Sequence, residues 1–427
     1  MSALIGSEAA LAFLRSPAAI RQRCEAVFEF VRLGQSRHFR LDLGALPRAI
    51  ELTWQVTCEA YPDPARIPVH SRINHFAVGG IDRLSGFEAR LGDARERARA
   101  LTDLIVTSVL LDAGAGNAWR YTEPGTGLCV GRSEGLALAS FHCLQSGLFS
   151  SDPAQPLRAD AAGLAALSGE RLGAAFQVTA DNPLLGVEGR AALLRQLGSA
   201  LDGPAFAGLG RVGGLCDALI ARSSAGRLPA SVLLGTVLEA LGPIWPPRTK
   251  YRGVELGDVW SHRAAGGGTG AAGGGAGANG QGPQDIEAQT QGLVPFHKLS
   301  QWLSYSLFYP LAVAGVQVVA PDELTGLAEY RNGGLFYDTQ VLLPKHDSVT
   351  RDVHLPGSEL VVEWRALTVA LLDRLAQGLR QRTGLDAERL PLGKVLEGGS
   401  WAAGRRLASE RRQGAPPIRV ESDGTLF

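Results

Sequence analysis

The sequence predicts a mainly α-helical protein. Apolar residues recur three and four positions apart through most of the chain, which marks one face of a helix. Runs with strand character are few and short. With 45% hydrophobic and 20% charged residues over 427 positions, the composition is that of a packed globular chain, not of a disordered one.

Taken in order, the periodic segments are Ser7–Arg15, Ala18–Leu33, Gly44–Ala60, Ala94–Leu111, Ser133–Leu148, Ala159–Leu167, Arg190–Leu201, Gly214–Ala221, Ala230–Leu241, Phe296–Leu307 and Glu359–Arg382, each expected as a helix. The last is the best marked. Ser358 stands where an N-cap belongs, apolar positions repeat from Leu360 to Leu375, and Gly384 closes it. Strands are expected at Phe176–Thr179, at Leu335–Leu343, and at Ile418–Val420 ahead of the Asp423-Gly424 turn.

The length suits a single α-helical domain over 1–427, with a smaller subdomain around 150–235 where the periodicity weakens. Glycine is the compositional outlier, at 54 residues. Many of these fall in a stretch without periodicity, expected as a flexible Gly-rich loop over 264–284 and placed like a lid between two motif-dense segments. Lys plus Arg and Asp plus Glu balance at 42 each, so there is no basic excess for nucleic acid. Leu299 to Pro321 carries no charge, yet Gln301, Ser304, Tyr305 and Gln317 make it a buried helix pair broken at Pro310, not a membrane span. The N-terminus lacks a basic n-region, and the five cysteines form no C-x-x-C pair, which suits a reducing, cytoplasmic setting.

Gly208-Leu209-Gly210-Arg211-Val212-Gly213 has the form of a dinucleotide fingerprint, but no strand precedes it and no acid follows at the required distance. A glycine-opened helix N-terminus, able to meet an anion, is the simpler reading. No phosphate-binding G-x-x-x-x-G-K-[ST] or H-E-x-x-H is present, and His70 and His75 do not share a helix face. More informative are polar groups in apolar surroundings. Asp258 lies among Leu256, Val259 and Trp260, with His262 four positions on. A carboxylate there is a helix cap, a partner for an arginine, or a catalytic acid. His297, Gln301, Ser304 and Tyr305 form a polar stripe on an apolar helix that also carries Lys298. Glu134 heads a helix with an apolar stripe, where it complements the dipole or serves a site. Glu329 with Arg331 beside Tyr330, and Glu363 with Arg365, read as structural ion pairs, with a phosphate contact open for Arg331.

These residues fall in motifs, among them SRINHFAVGGIDR (with Arg72 and His75), GRSEGLALASFH, LGDVWSH, LVPFHKLSQWLSYSL, LAEYRNGGLF and SELVVEWRAL. Together they resemble the uracil catabolism protein Urc-four (Urg-three) family of bacteria and fungi over essentially the whole chain. The Gly-rich stretch is longer and simpler than the family's usual link. The D-x-W motif and the Lys298 to Gln301 spacing are also remotely similar to the queuosine salvage N-glycosylases.

The resemblance implies a place in a pathway where uracil is carried as its nucleotide, the ring is opened, and urea is released. Chemistry then suggests hydrolysis of the N-glycosidic bond of a ribosylurea or its 5-phosphate, through an oxocarbenium-like state. On this reading Asp258, His262 and Glu134 are the catalytic candidates. The substrate-binding candidates are Arg72, His75, Trp260, His297, Lys298, Gln301, Tyr305, Tyr330 and Arg331. The reaction needs no metal and no cofactor, and the expected partner is one small molecule. A metal-dependent amidohydrolase acting on a ureido intermediate and a non-enzymatic pathway scaffold are the competing readings.

Overall fold

The computed structural model describes residues 2–112, 114–116, 118–265, 286 and 289–421, with side chains from residue 8 onward. Helices dominate. The strands are two or three residues long and pair into six two-stranded sheets among the described residues. The Gly-rich stretch expected as a flexible loop lies, from residue 266 to 284, outside the described residues.

The chain divides into two compact units. Unit 1 comprises Met1–Val69, Pro247–Lys298 and Asp322–Glu421; unit 2 comprises His70–Pro246 and Leu299–Pro321. The stretch 150–235 belongs to unit 2.

Unit 1 is organised on the helix Glu359–Thr383, whose buried face packs against the helix Pro17–Arg32. The latter starts where Ser16 accepts the amide of Ala19 at 3.1 Å, with Pro17 in the first turn, where a missing N–H does no harm. Gly384 ends the long helix in a left-handed conformation (φ 69°), as expected. Ser358 departs from expectation: its hydroxyl donates to the carbonyl of Leu355 instead of capping the helix. The helices Tyr330–Asp338 and Trp401–Arg412 meet closely enough that a Cβ on Gly404 would strike the carbonyl of Arg331. Two antiparallel pairs complete what the site needs: Phe39–Leu41 with Leu342–Pro344, and Val259–Ser261 with Leu293–Pro295.

Unit 2 is built around the helix Ala94–Leu110, continuously buried from Ala100 to its end. The helices Arg132–Gln145 and Phe308–Val313 pack on it. The glycine run 208–213 forms no strand–helix fingerprint. Gly208 and Gly210 take positive φ, and the amide of Gly213 donates to Asp103 Oδ1 at 2.6 Å ahead of the helix Gly214–Ala221. The anion at that helix end is therefore Asp103 itself, buried and also held by Arg211 at 2.6 Å.

Two strand expectations need correction. Phe176 ends the helix Gly169–Ala175, and Gln177 turns the chain at φ 56°. Burial of Phe176 against Trp119, at 6.0 Å between ring centroids, explains the apolar signal without a strand. In Leu335–Leu343 the first residues complete the helix Tyr330–Asp338, leaving only Leu342–Pro344 extended. The uncharged segment breaks at Leu307, not Pro310: Lys298–Ser306 and Phe308–Val313 are separate helices with Pro310 inside the second. No helix among the described residues is long and apolar enough to cross a membrane.

Candidate functional site

In unit 1, residues at both ends of the strand Val259–Ser261 reach the helix Glu359–Thr383. Asp258 precedes the strand and His262 follows it, so the two-residue period of an extended chain turns Asp258, Trp260 and His262 toward one side. Asp258 meets Arg365, and His262 meets Glu363.

Asp258 is 8% exposed, and both its oxygens are fully engaged. Arg365 donates to Oδ1 and to Oδ2, each at 2.7 Å. The Trp260 indole adds a bond to Oδ1 at 2.8 Å, and the amide of Lys298 one to Oδ2 at 3.0 Å. Burial acts to raise its pKa, but the charge and fork of Arg365, with the Trp260 and Lys298 donors, hold it well below the usual carboxylate range. Asp258 is thus both an arginine partner and the acceptor of the Lys298 amide. A carboxylate this stabilised as an anion is a poor proton acceptor and a good fixed negative charge.

His262 has a tautomer dictated by its neighbours. Its Nδ1 accepts the amide of Ala264 at 3.1 Å, so the proton sits on Nε2 and is donated to Glu363 Oε1 at 3.3 Å. The Ser36 hydroxyl takes the amides of His38 and Phe39 at 2.9 and 3.0 Å and donates its own hydrogen to Glu363 Oε2 at 2.5 Å. Glu363 is completely buried between these two donors. One helical turn earlier, Glu359 pairs with Arg263 at 2.7 Å and lies 3.6 Å from His38 Nε2. His38 in turn contacts His346 at 3.1 Å, and burial lowers its pKa.

His262, Glu359 and Glu363 bring one ligating atom each within 4.8 Å of one another, the spacing of a metal site. Their hydrogen bonding argues for a different use. A cation at this grouping would have to displace the proton that His262 Nε2 donates to Glu363.

Of the remaining unit 1 candidates His297 and Arg331 are buried, and Trp260, Lys298 and Tyr330 are half-buried. His297 turns inward on a left-handed backbone (φ 48°), and its Nε2 lies 2.9 Å from the carbonyl of Leu14. Burial lowers its pKa, so it is a neutral donor. The Arg331 guanidinium lies 4.5 Å from the Trp401 ring and 5.3 Å from that of Tyr330.

Residues 13–427 match a family model described as Protein of unknown function (DUF1688). Protein urg3 of Schizosaccharomyces pombe (strain 972 / ATCC 24843) is 38% identical over 418 residues, 96% of each chain. Uracil catabolism protein 4 of Lachancea kluyveri is 35% identical over 451 residues, 98% of this chain and 99% of its own. The chain belongs to the DUF1688 family. The motif resemblance read from the sequence holds over nearly the full length.

The other sequence candidates of this DUF1688 member lie in unit 2: Arg72, His75, Glu134, Gln301 and Tyr305. Arg72 is fully buried and spends its guanidinium on Ser108 Oγ at 2.6 Å, the Ser133 carbonyl at 2.9 Å and His75 Nδ1 at 3.1 Å. Asp112 adds an ion pair at 3.4 Å, and Trp302 lies 5.4 Å from the guanidinium. Desolvation lowers the pKa of Arg72, opposed by Asp112 and Glu134. That accounts for Arg72 as a structural hub. Gln301 and Tyr305 are buried.

Sequence reasoning missed Ser36, His38 and Glu359. Glu359-x-x-x-Glu363 was the available signal, since that spacing aligns two acids on one helical face. It also passed over Gly131-Arg132-Ser133-Glu134-Gly135, a G-x-S-x-G pattern at a strand-to-helix turn with Arg132 at φ 54°. The Ser133 hydroxyl donates to Asp112 at 3.2 Å, which is not the histidine-activated geometry of a nucleophile.

Proposed function

We propose that this protein acts in uracil catabolism and hydrolyses the N-glycosidic bond of a ribosylurea or its 5-phosphate, releasing urea and ribose or ribose 5-phosphate. The pathway part rests on near full-length similarity to a protein named for uracil catabolism. The observation that carries the reaction is Asp258, a buried carboxylate fixed by Arg365, Trp260 and the Lys298 amide.

Cleavage of a C–N glycosidic bond develops positive charge at the anomeric carbon as the bond breaks. A fixed anion there stabilises the transition state without reorganising. Water supplies the new C–O bond, one of its protons leaves to a base, and the urea nitrogen takes up a proton as it departs. In this scheme Asp258 is the electrostatic stabiliser. The His262–Glu363–Glu359 cluster handles protons, and Glu359, with its side chain 33% exposed, is the member open to solvent.

The test is direct. Purified protein is incubated with ribosylurea and with its 5-phosphate, and free urea is followed by a urease-coupled assay. Urea release proportional to enzyme supports the reading; no release from either compound at high enzyme load rejects it. Asp258→Asn, which retains shape but removes charge, is expected to lower kcat about 100-fold or more. Full retained activity removes Asp258 from the mechanism.

The amidohydrolase reading draws on the grouping of His262, Glu359 and Glu363. It requires His262 Nε2 to lose the proton it donates to Glu363. Activity that is abolished by a chelator and restored by a stoichiometric divalent metal would favour it over glycosidic hydrolysis.

A further inference from the structure

We infer that Arg331 is an anion-binding residue for the phosphate of the substrate, and that the 5-phosphorylated compound, not the free nucleoside, is what the site takes; this rests on the hydrolysis proposed above. Arg331 is 6% exposed. Three other arginines with little exposure are forked on carboxylates, Arg365 on Asp258, Arg211 on Asp103 and Arg83 on Glu123, while Arg72 and Arg190 spend their donors on hydroxyl and carbonyl oxygens. Arg331 has no such partner among the described residues. Its Nε donates to the Tyr330 hydroxyl at 3.1 Å, and its Nη1 is buried without an acceptor.

The acid two positions earlier in the chain does not supply one. Glu329 caps the helix Tyr330–Asp338 with its carboxylate, accepting the backbone amides of Arg331 (2.8 Å) and Asn332. The helix end is thereby filled, and Nη1 of the guanidinium is the donor left without an acceptor. Trp401 at 4.5 Å and Tyr330 at 5.3 Å stack against that group. The Trp401 ring attracts the cation, and Tyr330 takes only the Nε hydrogen, so the Nη1 hydrogens are left for another acceptor. Arg405 lies 5.3 Å from the same Trp401 ring and adds a second positive charge. A buried donor edge with extra positive charge beside it matches a phosphate monoester, which offers several oxygens and nearly two negative charges.

The experiment titrates the full-length protein with ribose 5-phosphate, ribose and acetate at fixed ionic strength, using calorimetry and thermal shift. Ribose 5-phosphate is expected to bind at least about 10-fold more tightly than ribose or acetate. Arg331→Gln should weaken it roughly 10- to 100-fold without changing ribose binding, and Arg331→Lys should fall between, because it keeps charge but loses the fork. Equal binding of ribose and ribose 5-phosphate overturns the inference, as does unchanged affinity in Arg331→Gln. If Arg331→Gln does not fold, the wild-type comparison and Arg331→Lys decide.

Urea release separates the two proposals. Equal kcat/KM for ribosylurea and its 5-phosphate rejects the phosphate site but leaves hydrolysis standing. Selective binding of ribose 5-phosphate without urea release leaves the anion site and rejects hydrolysis.

Discussion

Arg365 grips Asp258 through both carboxylate oxygens at 2.7 Å, with the two side chains 2% and 9% exposed. Breaking such a pair strands a buried charge, so Arg365→Met is expected to destabilise the protein by roughly 3–5 kcal/mol. Arg365→Lys should also destabilise, since an ammonium cannot reproduce the fork. The check is a double-mutant cycle in urea with Asp258→Asn. A large coupling is expected, because the second substitution has less left to lose; additive effects would mean that the pair contributes little.

Glu123 gives a pH dependence. Arg83 donates to both its oxygens at 2.6 Å, Thr126 donates at 2.6 Å, and His142 lies 3.0 Å away. Chiefly through the Arg83 bonds, its pKa falls from 4.5 to about 2. The folded state therefore binds fewer protons than the unfolded one in that window. The resulting stability, roughly 3 kcal/mol, is present above about pH 4.5 and is lost as pH falls toward 2. Denaturant curves at stepped pH should show wild type and Glu123→Gln converging as pH drops through this range. A constant difference would rule the linkage out.

Cysteine reactivity should divide cleanly. Cys58 and Cys129 are exposed, while Cys24, Cys143 and Cys216 are buried. Burial raises the pKa of all three buried thiols, Cys216 to about 11. Little thiolate is therefore available at neutral pH. A thiol reagent should label two residues rapidly in the native protein, and the others only with denaturant. Fast labelling of Cys24 would contradict its packing between the helices Pro17–Arg32 and Glu359–Thr383.

What the sequence made legible follows from which signals are local. Helix periodicity is local, so Gly214–Ala221 and Ala230–Leu241 emerge with the expected bounds. Asp258 was visible as a carboxylate among apolar neighbours, and of its bland readings the arginine partner is realised while the helix N-cap is not, since the strand Val259–Ser261 follows it. The identity of Arg365 as partner was not visible, because the two lie 107 positions apart. Nor was the His262–Glu363 pair, separated by 101. Phe176–Thr179 looked extended only because core burial and strand propensity favour the same residue types.

The glycine run offers the last test, since it separates a packing role from a nucleotide-binding one. A Cβ on Gly213 would lie 2.7 Å from the backbone carbonyl of Arg99, and one on Gly214 would strike that of Phe206. Gly208 has open space around it but takes φ 64°. Gly213→Ala must therefore push backbone aside and disturb the Gly213 amide bond to Asp103, whereas Gly208→Ala meets only conformational strain. Gly208→Ala should cost about 1 kcal/mol, and Gly213→Ala clearly more, about 2–4 kcal/mol. Asp103→Asn should resemble Gly213→Ala, because it takes from Arg211 the buried one of its two carboxylate partners and leaves only Glu96. Urea midpoints of the three variants supply the ranking. If these glycines instead cradled a dinucleotide, all three variants would keep their stability and lose a nucleotide-induced thermal shift; the opposite pattern is expected, with no such shift in the wild type.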